Sequence, residues 1–357
     1  MPAYARREIV DESQVGVYHC TSRCVRRAFL CGQDPLSGRN FDHRKQWLRQ
    51  RLETLAGAFA IDVLGFAVMS NHLHVILRNR PDVAGGFSDE EVARRWRSVF
   101  FRPAEADAAP AEADERERAL LLADGEAVAE RRRRLASISW FMRALCEPIA
   151  RRANREDQAT GRFWEGRFKC QAILDDAGLL ASSIYVDLNP IRSGIADTPE
   201  TSQFTGAFER IAAKQEAARQ SASPEPPPDK RPRTSPQRDD WLSPIPDDDA
   251  RPAGAPPNSS RRASDRGFLP LALDDYLALL DWTGRQLRAD KRGSIPAELR
   301  PILERLSINA DAWAENMLDF GRRFHRVIGR AASISARARQ QGRRWFQGQA
   351  ASRLAFT

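Results

Sequence analysis

The chain has 357 residues, long enough for one substantial core and a second smaller unit, and its 56 lysines and arginines against 48 acidic residues leave a formal charge of +8. A polyanion is therefore a better partner than an acidic protein or a neutral metabolite. No apolar run approaches the roughly 20 residues that span a bilayer, the opening MPAYARREIV has no apolar signal core, and five scattered cysteines do not make a disulfide scaffold. The expectation is a protein of the reducing cytoplasm with no membrane segment, associated with the nucleoid through its charge.

In chain order, residues 15–23 (VGVYHCTSR) read as a strand. Residues 42–58 read as a helix, with apolar Trp47, Leu48, Leu52 and Leu55 at helical spacing and Asp42 as N-cap. Residues 60–69 and 72–78 read as a hairpin turning at Ser70-Asn71. The stretch near 82–136 reads as an insertion, and within it the Ala/Glu/Arg-rich 103–135 reads as solvated helix, because charge covers most of its faces. Then come a basic amphipathic helix at 138–156, a strand at 167–174 and a helix from Asp176 to about Leu188. This order predicts an α+β fold, a ferredoxin-like βαββαβ sheet with its helices on one side.

Half of the 22 prolines fall between Pro224 and Pro257, amid Ser, Asp and Arg, a composition that buries too little apolar surface to fold. The reading is a domain over 1–212, a disordered Pro-rich linker over 213–266, and an all-helical region over 267–357. Nine arginines and no acidic residue occupy 321–357, so that tail is either a solvated extension or a second nucleic-acid grip.

Chemistry centres on two spots. His72 and His74 are two apart on a strand, so their imidazoles share a face about 6–7 Å apart and can converge on one ion; paired histidines with no ligand fit the same spacing. Tyr185 and Asn189 are four apart in SSIYVDLNPIRSG and share a helix face, which equally suits a core aromatic and a helix-terminal amide before Pro190. Taken together, SNHLHVIL, GRFWEGRFK and YVDLNPIRSG resemble the single-tyrosine HUH transposases, the superfamily that includes the REP-associated tyrosine transposases, over about residues 10–200.

The resemblance implies a ferredoxin-like fold, Tyr185 as nucleophile on single-stranded or hairpin DNA, and Mg²⁺ or Mn²⁺ held by His72, His74 and Asn189. The chemistry is coherent. A free phenol titrates near 10 and is a poor nucleophile at neutral pH, whereas a cation held by neutral ligands keeps its charge available to polarise a phosphate. Exchange of one phosphoester for another retains the bond energy, so rejoining needs no ATP. One tyrosine handles one strand end, which leaves open a homodimer or repeated use of one site.

Arg162, Arg167 and Arg192 are the expected DNA contacts, since guanidinium beside aromatic rings suits unpaired DNA. Tyr18 is the fallback nucleophile, and His19 an additional polar group near the metal. His43 and His325 read as structural or solvent-facing. The competing class is a non-catalytic or domesticated DNA-binding protein on the same fold. A zinc hydrolase lacks an acidic or cysteine ligand at suitable spacing.

Overall fold

A computed structural model describes residues 8–25, 30–34, 38–100, 110–222, 237–245, 259–286 and 298–356. Its centre is a five-stranded sheet in the order β2-β3-β1-β4-β5. The strands are β1 (Gly16–Arg23), β2 (Ile61–Val68), β3 (His72–Asn79), β4 (Lys169–Ile173) and β5 (Val327–Ile328). β3 lies antiparallel between β2 and β1, β4 is antiparallel to β1, and β5 is parallel to β4. The fold is α+β.

Alternation along the strands separates two cores. Tyr18, Cys20, Leu73, Val75 and Leu77 face α1 (His43–Ala58) and α6 (Ile138–Glu156), where Leu48, Leu52, Leu55, Phe141 and Leu145 close the layer. Asp42 stands before α1 as expected, yet its carboxylate makes no cap bond and pairs with Lys45 instead at 2.7 Å. Ser137 does cap α6.

The other face carries Ile76, Ile173 and Ala67 against α7 (Asp176–Asp187). Helices thus cover both sides of the sheet rather than one. The cause lies in α7 itself: it is apolar around nearly its whole circumference, and such a helix must be buried on all sides. The sheet covers one side, and α10 (Leu273–Gln286) and α12 (Trp313–Arg323) cover the other.

The region from 82 to 136 is helical where described. It follows α2 (Pro81–Gly85) and comprises α3 (Asp89–Phe100), α4 (Pro110–Leu122) and α5 (Gly125–Leu135). Within 103–135, Val128 and Leu135 enter the first core, so that segment is less solvated than its charge suggested; ahead of it Val92 enters the same core, and the Trp96 ring meets Phe100 and Trp140 at 4.2 and 5.5 Å.

The connection from β4 onward runs through α7, α8 (Asn189–Arg192) and α9 (Gly206–Ala222). Within the stretch read as linker, α9 continues to Ala222, and 237–245 and 259–266 are packed. Trp241 is fully buried 5.2 Å from the Phe66 ring, and Ser243 N donates to Val63 O at 2.9 Å. Most of the prolines, in 223–236 and 246–258, lie outside the described residues.

Asp62 sits fully buried at the centre of a polar cluster. It accepts from Arg78 at 2.8 Å, from Arg80 at 3.3 Å and from Ser264 at 2.8 Å, while Arg78 also donates to the carbonyls of Arg266 and Gly267. The cluster welds β2 and β3 to the chain that enters α10.

The C-terminal part is not all helical. Besides α10, α11 (Arg300–Arg305), α12, α13 (Ala331–Gln340) and α14 (Gln349–Ala355), it contributes β5 to the sheet. Asp175 holds that junction: Oδ1 caps α7 at Gly178 N and Oδ2 accepts from Arg330 N. Much of the basic tail is accordingly folded. Arg337 donates to Ile9 O, Arg330 to Leu306 O, and Arg343 pairs with Glu8.

Candidate functional site

The second sheet face carries His19, Thr21 and Arg23 on β1 opposite Ile76, His74 and His72 on β3, with Gln171 of β4 opposite His19. Alternation brings the two histidines of HLH to one face, with ring centroids 4.8 Å apart. His19 joins them from the neighbouring strand, its ring stacked on His74 at 5.0 Å and its Nε2 2.8 Å from His74 Nδ1. Thr21 Oγ1 lies 3.3 Å from the same Nδ1, and Gln171 Oε1 lies 3.4 Å from His19 Nδ1. His72 Nδ1 is 2.6 Å from Asn71 Oδ1.

All three imidazoles are neutral at pH 7. Burial brings His19 down to about 4. Burial also takes His72 to about 4, helped by Arg23 and His19, and places His74 well below its ordinary value, with His19, His72 and Arg23 adding repulsion. None can act as an imidazolium acid near neutrality. Each can offer a lone pair.

Tyr185 reaches this face from α7. Its ring centroid is 5.9 Å from that of His74 and 6.2 Å from that of His19, edge-on to both. Asn189, one turn on, is buried, and its Nδ2 donates to Tyr185 O at 2.9 Å. The amide nitrogen is thereby committed to the helix, leaving Oδ1 as the free end. Among the described residues no hydrogen bond joins Asn189 to either histidine.

Above Tyr185 lies α12. The Phe320 ring stacks on the Tyr185 ring at 4.4 Å, and Gly321 passes so close that a Cβ there would stand 3.1 Å from the hydroxyl. Arg192 clamps this arrangement. Its guanidinium lies 5.4 Å from the Tyr185 ring centroid and donates to Met317 O at 2.5 Å and Leu318 O at 2.9 Å. Two of its nitrogens are thus bonded to α12, while the side chain remains exposed.

Tyr18 falls on the opposite face, because it precedes His19 on the same strand. Its hydroxyl accepts from Asp11 N, and burial lifts the phenol to about 12. Tyr276 is buried in a bond to Asp187, and Tyr4 lies outside the described residues. Of the described tyrosines, Tyr185 alone shares the histidine face. His43 Nε2 lies 2.7 Å from Glu156 at the surface and His325 is exposed.

Arg162 and Arg167 are exposed and line a groove of about 740 Å³ with Phe163, Trp164, Phe168 and Arg151 of α6. Trp164 Nε1 donates to Cys146 O, so this ring is fixed in the wall. The segment leads into β4 and pairs with the end of β1: Glu165 N donates to Arg23 O and Val25 N to Phe163 O. Groove and histidines therefore share one end of the sheet, on opposite faces.

Among the described residues, no group of three or more histidine, cysteine, aspartate or glutamate side chains is arranged to hold a metal ion. The expected donor set, two imidazoles and an amide, contains no carboxylate or thiolate. Its chemistry fits a divalent cation in one specific respect. His74 Nε2 is fully buried and has no hydrogen-bond partner, and with the ring proton on Nδ1 it is a lone pair that a cation would satisfy.

His19, read from the sequence as an additional polar group near the metal, lies against His74. Gln171, Arg23, Phe320 and Gly321 extend the site beyond the residues singled out from the sequence. Strand parity could have placed Arg23 on the face of Thr21. Nothing local marks Phe320 and Gly321, which come from beyond the Pro-rich stretch.

No family model matches the chain, and no curated protein matches it. Among solved structures, a REP-associated tyrosine transposase bound to a REP hairpin matches with 13% identity and a TM-score of 0.34, over 63% of this chain and 89% of that one. No helix among the described residues is long and apolar enough to cross a membrane.

Proposed function

We propose that the chain is a metal-dependent, transposase-like DNA nickase and strand transferase built on a ferredoxin-like βαββαβ unit extended by β5. The observation that carries this reading is the meeting of His72, His74 and Tyr185 on one sheet face, with the His74 and Tyr185 rings 5.9 Å apart. Strand order β2-β3-β1-β4, with α1 and α6 in the two crossovers, supports the fold assignment.

His72, His74 and Asn189 Oδ1 are the groups that would hold Mg²⁺ or Mn²⁺. The bound ion would supply charge to polarise a phosphodiester without proton transfer. Neutral ligands suit that role, and burial keeps both imidazoles neutral. Tyr185 Oη attacks the phosphorus of single-stranded DNA and the bond to the 3′-oxygen breaks. The products are a 5′-phosphotyrosine and a free 3′-hydroxyl, with the phenol proton lost and one gained by the leaving oxygen. Attack by a 3′-hydroxyl on the phosphotyrosine reverses the exchange and restores Tyr185.

Phe320 restricts the Tyr185 ring to one plane, which favours an aligned approach over a freely rotating one. Arg162 and Arg167 contact the DNA backbone along the groove. Arg192, expected as a third DNA contact, is assigned instead to holding α12 over Tyr185.

The test is incubation with hairpin-forming single-stranded oligonucleotides and Mn²⁺, followed by denaturing electrophoresis. A covalent adduct is expected, and it should be lost in Tyr185→Phe. No adduct across a broad panel of hairpins overturns the enzymatic reading in favour of a DNA-binding protein on the same fold. An adduct that survives Tyr185→Phe removes Tyr185 as nucleophile.

A further inference from the structure

We infer that His19 and Gln171 are positioning residues: a cross-strand chain Gln171–His19–His74 fixes the tautomer of His74 so that its Nε2 presents a lone pair to the site. The inference rests on the proposed role of His74 as a metal ligand and adds two residues to it.

Gln171 presents its carbonyl oxygen, an acceptor only, to His19 Nδ1 at 3.4 Å. His19 Nδ1 must then carry the proton. A neutral imidazole has one N–H, so His19 Nε2 is bare and can only accept. The atom it faces at 2.8 Å is His74 Nδ1, which must be the donor. His74 in turn has one proton, now on Nδ1, and its Nε2 is bare. That is the same Nε2 that is buried without a partner.

Burial makes the chain consequential. His19, His74 and Gln171 are 8%, 5% and 6% exposed, so water cannot readily substitute for a missing partner or exchange the tautomers. Thr21 Oγ1, 3.3 Å from His74 Nδ1, is a second acceptor for the same proton. Gln171 Nε2 has no partner, so neighbouring groups do not dictate the amide's orientation. Turning it over would reverse every proton in the chain and place an N–H on His74 Nε2, a buried donor with nothing to bind. A ligand-bearing site requires the first arrangement, since outer partners of this kind set both the orientation and the basicity of an imidazole ligand.

The chain predicts a spectroscopic result in the full-length, metal-free protein. Long-range ¹H–¹⁵N correlation spectra of histidine-labelled protein at pH 7 should show His74 as the Nδ1–H tautomer. In Gln171→Leu the chain loses its terminal acceptor, and the His74 resonances should move toward a mixture of tautomers. Gln171→Glu, which keeps an acceptor, should restore the single Nδ1–H form. Mn²⁺ affinity, read by calorimetry, should fall about 10–100-fold in Gln171→Leu and recover in Gln171→Glu.

His74 found as Nε2–H in the wild-type protein overturns the inference, as does an unchanged tautomer in Gln171→Leu. If Gln171→Leu is misfolded by backbone amide dispersion, wild type against Gln171→Glu decides: loss of the Nδ1–H form on gaining a stronger acceptor refutes the chain. Absence of Mn²⁺ binding by wild-type protein removes the metal reading of the site, while the tautomer spectra still decide the chain on their own.

Discussion

Tyr276→Phe removes one hydroxyl from α10 and tests whether the C-terminal helices and α7 form one folded unit. Tyr276 Oη donates to Asp187 Oδ2 at 2.6 Å, and both side chains are buried, Asp187 at the end of the helix that carries Tyr185. The ring remains in Phe, so no sizeable cavity opens, and the loss is that of a hydrogen bond to a buried carboxyl. Such bonds contribute about 1.5–3 kcal/mol when the acceptor is charged. Asp187 Oδ1 keeps its bond from Ala207 N at 3.1 Å, so the expected cost at pH 7 is in the lower half of that range, about 2 kcal/mol.

The pH dependence has a definite sign. Burial raises the Asp187 carboxyl above its ordinary value, opposed by Tyr276, Arg210 and the backbone donors of Ala207 and Gly206. The folded state therefore holds this proton more tightly than the unfolded state, and stability drops as pH rises through the folded value. Without the Tyr276 hydroxyl that value moves higher still. The gap between wild type and Tyr276→Phe should consequently widen as pH rises through the raised folded-state values of this carboxyl and narrow on acidification. Urea denaturation followed by tryptophan fluorescence at several pH values measures it, with a single transition of unchanged slope expected. A cost under about 0.5 kcal/mol at pH 7, or a gap that grows toward acid, would refute the reasoning.

Asp62→Ala strips the shared acceptor from Arg78 and Arg80; Arg80 keeps Asp82, and Arg78 is left as a buried guanidinium without its counter-charge. A loss of about 3–5 kcal/mol is expected in chemical denaturation. His72→Ala and His74→Ala should each abolish adduct formation while gel-shift affinity for single-stranded DNA is retained; parallel loss of folding in both would point to a packing role. Combined Arg162→Ala and Arg167→Ala should weaken DNA binding and flatten the dependence of log affinity on log salt by about 0.7 for each single-strand phosphate no longer neutralised. A slope identical to wild type would move the DNA path away from the groove.

The alternation of VGVYHCTSR and HLHVILRN places β1 and β3 within a residue of their observed bounds, and the Leu48, Leu52, Leu55 stripe identifies the buried side of α1. Those signals are local: period two and period 3.6 report which side of an element is covered. What covers α7 was beyond them. Its apolar residues state that it is buried, but the Phe320 that stacks on Tyr185 arrives from far along the chain, and loop closure leaves no trace in composition. β5 is two residues long, too short for any pattern, and is defined by its pairing with Ala172 and Ile173. Trp241 and Ser264 sat within a stretch dominated by proline and charge, where the average concealed individual residues that pack. The joint position of His72, His74 and Tyr185 was suggested by the three quoted motifs together; the part played by Gln171 depends on strand register, which no single strand encodes.

The short β5 also bears on self-association. A sheet ending in a long bare strand is a template on which a second copy can continue the hydrogen-bonded ladder. Here one margin terminates in a strand of two residues. The other is occupied by the chain itself, with Val68 N bonded to Phe204 O, Ala67 bridged to Thr205 and Ser243 N bonded to Val63 O. A dimer formed by sheet continuation would have almost no ladder to join.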